Sequence, residues 1–175
     1  MFFAVMPARA ADPMFDGMEN QLAISSGVAI ASQSLIYFPM YFVPYFTSEL
    51  TYSQPNTVFR LPGRQNINIG KNIGRGQSRG WDWKLLNEYV FFLSEDAFLY
   101  NTENWYYGLG LGVGMQLDYN ERIGSLLIFE FKMIVGRKIS ERANVELFFQ
   151  HFSNGHTTEN NYSYNFYGAS VVFKF

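Results

Sequence analysis

The sequence predicts an all-β protein, an eight-stranded antiparallel transmembrane β-barrel with a filled interior. Three observations carry that prediction. Aromatic residues make up 19% of the 175 residues and charged residues only 16%, against the ~25% charged content usual for soluble domains. Several segments alternate with period 2, apolar on one parity and small or polar on the other, which is the pattern of a membrane strand. The chain also offers no good membrane helix. Its uncharged run Gln21–Ser48 is long enough to cross, but it contains Pro39, Pro44 and many Tyr and Phe, which suit a helix interior poorly. Mean hydropathy near zero fits strands whose alternation hides their apolar face from window averages.

Composition also excludes several functions. A net charge of −2 provides no electrostatic footprint for nucleic acid. The absence of cysteine removes disulfides, thiolate metal sites and a Cys nucleophile.

Along the chain, Met1–Ala10 reads as the remainder of an export signal, ending in the A-x-A pattern Ala8-Arg9-Ala10. Residues 11–175 are assigned to the barrel. Leu22, Ile24, Val28 and Ile30 alternate with Ala23, Ser25, Gly27 and Ala29. Ile36, Phe38, Met40 and Phe42 alternate with Tyr37 and Tyr41, a parity continued by Tyr45, Thr47 and Glu49. The region Thr57–Gly80 is expected to hold one more strand, around Ile67–Ile73. Trp81, Trp83, Leu85, Tyr89, Phe91 and Leu93 oppose Asp82, Lys84, Leu86 and Glu88.

The clearest strand is Trp105–Asp118. Its odd positions run Trp105, Tyr107, Leu109, Leu111, Val113, Met115 and Leu117, while its even positions include Gly108, Gly110, Gly112 and Gly114. Glycines on one face weaken an ordinary strand, but inside a narrow barrel they make room for large side chains from opposite strands. Leu127, Phe129, Phe131, Met133 and Val135 then face away from Ile128, Glu130, Lys132 and Gly136, and a polar turn is expected over Arg137–Arg142. Val145, Leu147 and Phe149 oppose Glu146, Phe148 and Gln150; Tyr167, Ala169, Val171, Phe173 and Phe175 oppose Gly168, Ser170, Val172 and Lys174. Glu130, Lys132, Glu146, Gln150 and Lys174 therefore face the lumen, where charges must pair with one another. Eight strands is the size at which side chains fill the interior, so no pore is expected. The terminal Phe175, preceded by alternating apolar residues, resembles the C-terminal signature of bacterial outer-membrane barrels.

Only one constellation offers chemistry. Both histidines lie in Gln150-His151-Phe152-Ser153-Asn154-Gly155-His156. His151 and Ser153 continue the lipid-facing parity of Val145, Leu147 and Phe149, at the outer end of a strand that runs outward if both termini are periplasmic. Polar side chains there need a reason, since lipid offers no hydrogen-bond partners. Two readings stand at this point: a nucleophile–base unit for acyl transfer, or an interfacial hydrogen bond at the strand's edge. His156 is expected to face head groups or water.

The run His151-Phe152-Ser153-Asn154-Gly155, one hairpin from a C-terminal Phe, resembles the PagL-type lipid A 3-O-deacylases, most strongly over about residues 105–175. The resemblance implies an outer-membrane serine esterase that removes the 3-O-linked acyl chain of lipid A, with Ser153 as nucleophile and His151 as general base. It further implies Asn161, ten positions after the His, as an oxyanion residue, beside Asn154 and the backbone N–H groups of the turn that follows. The family pattern puts a Glu fourteen positions after the His, and here that position is Asn165. An Asn can orient an imidazole through its carbonyl oxygen, as in Cys-His-Asn sites, but brings no charge to an imidazolium. Glu159 is the alternative third member. Neither metal nor cofactor is required, and the partners implied are lipopolysaccharide and outer-membrane lipid in a Gram-negative bacterium, with a homodimer left open. Two other functions remain: a structural or adhesive barrel without activity, and an outer-leaflet phospholipase or acyltransferase.

Overall fold

Strands that alternate apolar and polar positions must bury one face, and a sheet does so without exposed edges only by closing on itself. The computed structural model describes residues 19–31, 41–74, 77–78, 81–82, 86–119, 123–159, 161 and 163–175. The expected signal remnant Met1–Ala10 and the alternation at Ile36–Met40 lie outside them. In chain order the strands are β1 (Gln21–Ala31), β2 (Tyr41–Val58), β3 (Leu61–Gly74), β4 (Gln77–Ser78), β5 (Trp81–Asp82), β6 (Leu86–Asn101), β7 (Trp105–Gln116), β8 (Leu127–Ser140), β9 (Ala143–Ser153) and β10 (Tyr164–Lys174).

Eight of them close a barrel in the order β1-β10-β9-β8-β7-β6-β3-β2, while β4 and β5 form a separate two-stranded sheet. Every barrel neighbour is antiparallel. The ladder between first and last strands continues to the final residue, whose N–H donates to the Asn20 carbonyl at 3.0 Å.

The barrel's two ends differ. At one end lie the described termini and three short turns, at 59–60, 102–104 and 141–142. The β2–β3 turn bends through Phe59 and Arg60 at φ 49° and 68°, the left-handed pair that a two-residue hairpin requires. The connections after β1, β3, β7 and β9 form the other, long-loop end.

The inward parity is confirmed along most of the chain. Glu130, Lys132, Glu146 and Gln150 are all buried, and they pair within the lumen. The Arg64 guanidinium donates to Asp96 at 2.7 Å and to Glu146 at 2.8 Å, while the Tyr106 hydroxyl donates to Glu146 at 2.6 Å. Nearer the long loops, Lys132 Nζ lies 3.4 Å from Glu49, and the Gln150 amide reaches Glu49 at 3.0 Å and Glu130 at 2.6 Å. Lys174 differs from expectation. It sits half-buried at the terminal rim, because β10 ends there and its side chain no longer has lumen on both sides. Above the charged layers, Tyr45, Phe92, Phe148, Phe152, Tyr164 and Phe166 make an aromatic plug at the long-loop end.

The strand expected around Ile67–Ile73 is present as the longer β3, paired with both β2 and β6. Three further expectations are corrected. The run expected to continue from Trp81 to Leu93 is broken: Trp81 belongs to β5, which pairs with β4, and the barrel strand starts at Leu86. The turn expected over Arg137–Arg142 shrinks to Glu141–Arg142, since β8 extends to Ser140. Polar residues beyond the apolar band still pair there, with Arg137 capping the Trp105 ring at 5.2 Å. The β7 glycines do make room, but for side chains of adjacent strands rather than opposite ones. A Cβ on Gly110 would meet Asp96 and Lys132, and one on Gly112 would meet Ser94 and Glu130.

Candidate active site

The site is built where β9 and β10 approach the long loops. Strand alternation sends Phe152 inward and leaves His151 and Ser153 outward on either side of it. Phe152 is the anchor: its ring stacks on Phe92 with centroids 4.6 Å apart and planes 7° apart, and meets Phe166 edge-on at 5.9 Å. On β10, the inward rings Tyr164 and Phe166 flank Asn165 in the same way. The register pairs Tyr164 with Phe152 and Asn165 with His151. Each polar side chain of the site is thus held by aromatic neighbours locked in the plug.

Asn165 and His151 meet across that register. The imidazole Nδ1 lies 2.7 Å from Asn165 Oδ1. A carbonyl oxygen has no proton to give, so Nδ1–H is the donor and Nε2 keeps its lone pair. Asn165 is buried and His151 half-buried. Ser153, also half-buried, sits two residues further along the same face, about 6.6 Å on at the usual strand rise. Among the described residues its hydroxyl takes no hydrogen-bond partner. Catalytic hydrogen bonds are often long before substrate binds and tighten in the complex. Glu159 is exposed in the loop and makes no ion pair or hydrogen bond among the described residues, so the arrangement brings Asn165, not Glu159, to the imidazole.

Beyond Ser153 the chain turns back through Gly155 and His156, at φ 63° and 61°. Gly155 suits its place twice, by its positive φ and because a Cβ would press on the Phe129 ring at 3.1 Å. Asn154, fully buried, organises this turn. Its amide donates to the Ile123 carbonyl and to Thr158 Oγ1, both at 2.6 Å, and its Oδ1 accepts the His156 N–H at 2.8 Å. Its own N–H donates to Asn161 Oδ1 at 3.0 Å. Asn154 was expected to contribute to an oxyanion site. Both its side-chain hydrogens are committed to the turn, so the residue serves as the turn's frame.

The lipid A 3-O-deacylase (PagL) family model matches residues 49–174, which includes β9, β10 and every residue of the site. The chain belongs to the lipid A 3-O-deacylase (PagL) family. The crystal structure of the outer membrane enzyme PagL aligns with a TM-score of 0.64 at 16% identity, over 89% of this chain and 99% of that one. Neisserial surface protein A (NspA) aligns at 0.58 and 15% identity, over 89% and 97%. At such identities these two likenesses speak for the barrel fold. No curated protein matches the chain by sequence.

Within this member of the PagL family, two supports were not foreseen from sequence. Ile123, in the β7–β8 connection, supplies the carbonyl that holds Asn154, and Thr158 supplies the hydroxyl. The only signal for them was the Asn-Gly step itself, a strong turn former, and it does not say which distant loop the turn will lean on.

Proposed function

We propose that this chain is a lipid A 3-O-deacylase acting as a serine esterase at the outer leaflet of the outer membrane. Family membership supports the activity. The observation that carries the mechanism is the 2.7 Å contact between His151 Nδ1 and Asn165 Oδ1 on the outward face of the barrel, two residues from Ser153. It fixes the tautomer in which Nε2 is free to act as a base.

The steps follow. Ser153 Oγ attacks the ester carbonyl at the 3-position while its proton moves to His151 Nε2. The tetrahedral oxyanion needs donors aimed at it. In the turn, the N–H groups of Asn154 and His156 are committed, which leaves the Gly155 N–H and the Asn161 amide for that role. Collapse breaks the ester C–O bond, and the sugar oxygen leaves with the proton from Nε2. Water, deprotonated by the same nitrogen, then attacks the acyl-serine, and the 3-hydroxy fatty acid departs with Ser153 restored. Asn165 holds the ring through a neutral acceptor, so the imidazolium receives less stabilisation than a carboxylate would give.

Location is argued from the connections. In outer-membrane barrels the short turns are periplasmic and the longer loops extracellular. His151 and Ser153 stand at the long-loop end on the lipid-facing side, the level at which the acyl esters of lipid A lie. The exposed apolar belt, including Ile24, Leu50, Ile69, Phe91 and Leu111, suits the lipid-facing band.

Mass spectrometry of lipid A from Gram-negative cells expressing the protein tests this reading. The expected result is loss of one 3-hydroxyacyl chain. Unchanged lipid A would favour a structural or adhesive barrel, and altered phospholipids alone would favour a phospholipase or acyltransferase.

A further inference from the structure

His156 plays no part in the steps above, yet it is held unusually. It is one of three described non-glycine residues with positive φ, at 61°, a conformation in which a side chain crowds the backbone and which favours glycine. Its polar atoms are nevertheless engaged. Its N–H donates to Asn154 Oδ1 at 2.8 Å, and its ring Nδ1 lies 3.3 Å from Asn161 Nδ2. Asn161 Oδ1 in turn accepts the Asn154 N–H at 3.0 Å. Three residues thus form a closed polar ring directly after the nucleophile: Asn154 to Asn161, Asn161 to His156, and His156 back to Asn154.

The chemistry of the ring fixes its atoms. Asn161 must present Oδ1 to an N–H donor, so its Nδ2 faces His156. The planar amide nitrogen, its lone pair delocalised into the carbonyl, can only donate there, so His156 Nδ1 is the acceptor and carries no proton. One Asn161 amide hydrogen is therefore directed at the imidazole, and the planar amide fixes where the other points.

We propose that His156 is a positioning residue for the oxyanion side of the site: its imidazole Nδ1 holds the Asn161 amide plane so that the second hydrogen is aimed at the developing oxyanion. The proposal rests on the esterase reading above. It explains why a bulky residue is kept where the backbone favours glycine. A glycine at 156 would ease the φ and keep the N–H to Asn154, but would leave the Asn161 amide held only at its oxygen, by the Asn154 N–H, with its nitrogen side no longer fixed. An aimed donor is worth far more to a transition state than a mobile one, because its orientation is fixed before the reaction.

The test uses the full-length barrel in detergent with purified lipid A, and rates are divided by the folded fraction read from heat-modifiable gel mobility. His156→Gly should lower kcat by about tenfold to a hundredfold, with KM within about twofold and no fall in the denaturant midpoint. His156→Asn should restore most of kcat. Asn tolerates positive φ, and its Oδ1, like the Nδ1 of His, is bonded to Cγ, so an acceptor returns at the same place along the side chain. Wild-type kcat in His156→Gly would overturn the proposal. So would a fall in His156→Gly that His156→Asn fails to recover, since that would be loss of a structural prop rather than of an acceptor. Ser153→Ala, run beside them, separates the two levels: activity surviving in that variant contradicts the esterase reading itself, whereas an inactive Ser153→Ala with a fully active His156→Gly contradicts only the role of His156.

Discussion

The two faces of β9 carry polar residues for opposite purposes. On the lumen side, Asn144, Glu146 and Gln150 are buried among partners, and Glu146 alone accepts from Arg64 and Tyr106. On the lipid side, His151 has one partner in Asn165, and the Ser153 hydroxyl has none among the described residues. Inside the barrel, a buried charge without a partner costs stability, and Arg64, Asp96, Glu146, Lys132, Glu49 and Glu130 each find at least one partner, although Asp96 Oδ1 and Glu130 Oε2 take no hydrogen bond among the described residues. Outside, a hydroxyl without a partner is available to react. The same strand thus separates shape from chemistry by alternation alone, and a substitution on one face should leave the other largely untouched.

Removing the proposed nucleophile or its proposed base should give the largest effect. Ser153→Ala and His151→Ala should each lower deacylation by about a thousandfold or more, with the double variant little worse, as expected of residues acting as a unit. Neither side chain fills the lumen, so both proteins should remain folded by heat-modifiable mobility. Loss of the folded band in either would blur the separation of the two faces.

The complementary change on the lumen side is Arg64→Ala. It strands Asp96 and Glu146, both nearly fully buried, and should lower unfolding stability by about 3–5 kcal/mol. Urea titration in lipid vesicles would measure it. Activity per folded molecule should stay near wild type; a collapse in that ratio would mean that the lumen network tunes the chemistry directly.

Asn154→Ala touches the junction of the two. It removes the bonds to Ile123, Thr158 and His156, and each lost buried partner leaves a group costing about 1–3 kcal/mol. Both a lower denaturant midpoint and reduced turnover should follow, whereas Ser153→Ala lowers turnover alone.

The smallest changes sharpen the lipid side. Asn165→Ala should reduce kcat by about tenfold, the scale of a lost orienting hydrogen bond. Asn165→Glu should hold or raise kcat by adding charge beside the imidazolium. Glu159→Ala should remain within about twofold, since ordering an exposed loop carboxylate onto the ring would cost about 1–2 kcal/mol per backbone residue fixed. The reverse ranking, with Glu159→Ala inactive and Asn165→Ala near wild type, would transfer the third role to the loop.

What the sequence revealed follows the same division. From β7 to β10 the apolar and polar parities are clean, so facing could be read directly, and with it the outward placement of His151, Ser153 and Asn165. On β3, Asn66, Asn68 and Asn72 face the lumen while Lys71 faces out, so polarity alone did not mark the inner side and the strand was only glimpsed. Arg64, Asp96 and Glu49 were not foreseen as partners of the inward charges, because the contacts join strands remote in sequence. The part Asn154 plays in the turn was not foreseen for the same reason: one of its partners is a carbonyl 31 residues away. Local alternation is written in the sequence, whereas the loops that lean on one another are not.

In the proposed esterase, Ser153, activated by His151 on the lipid face, is the nucleophile. Treatment of the folded barrel with a long-chain alkyl fluorophosphonate, followed by peptide mass spectrometry, tests it most directly. A single phosphonyl adduct on Ser153 is expected, absent from His151→Ala, with deacylation lost in proportion to labelling. Full deacylation by protein whose Ser153 is completely modified, or inactivation with the adduct on another residue, would contradict it.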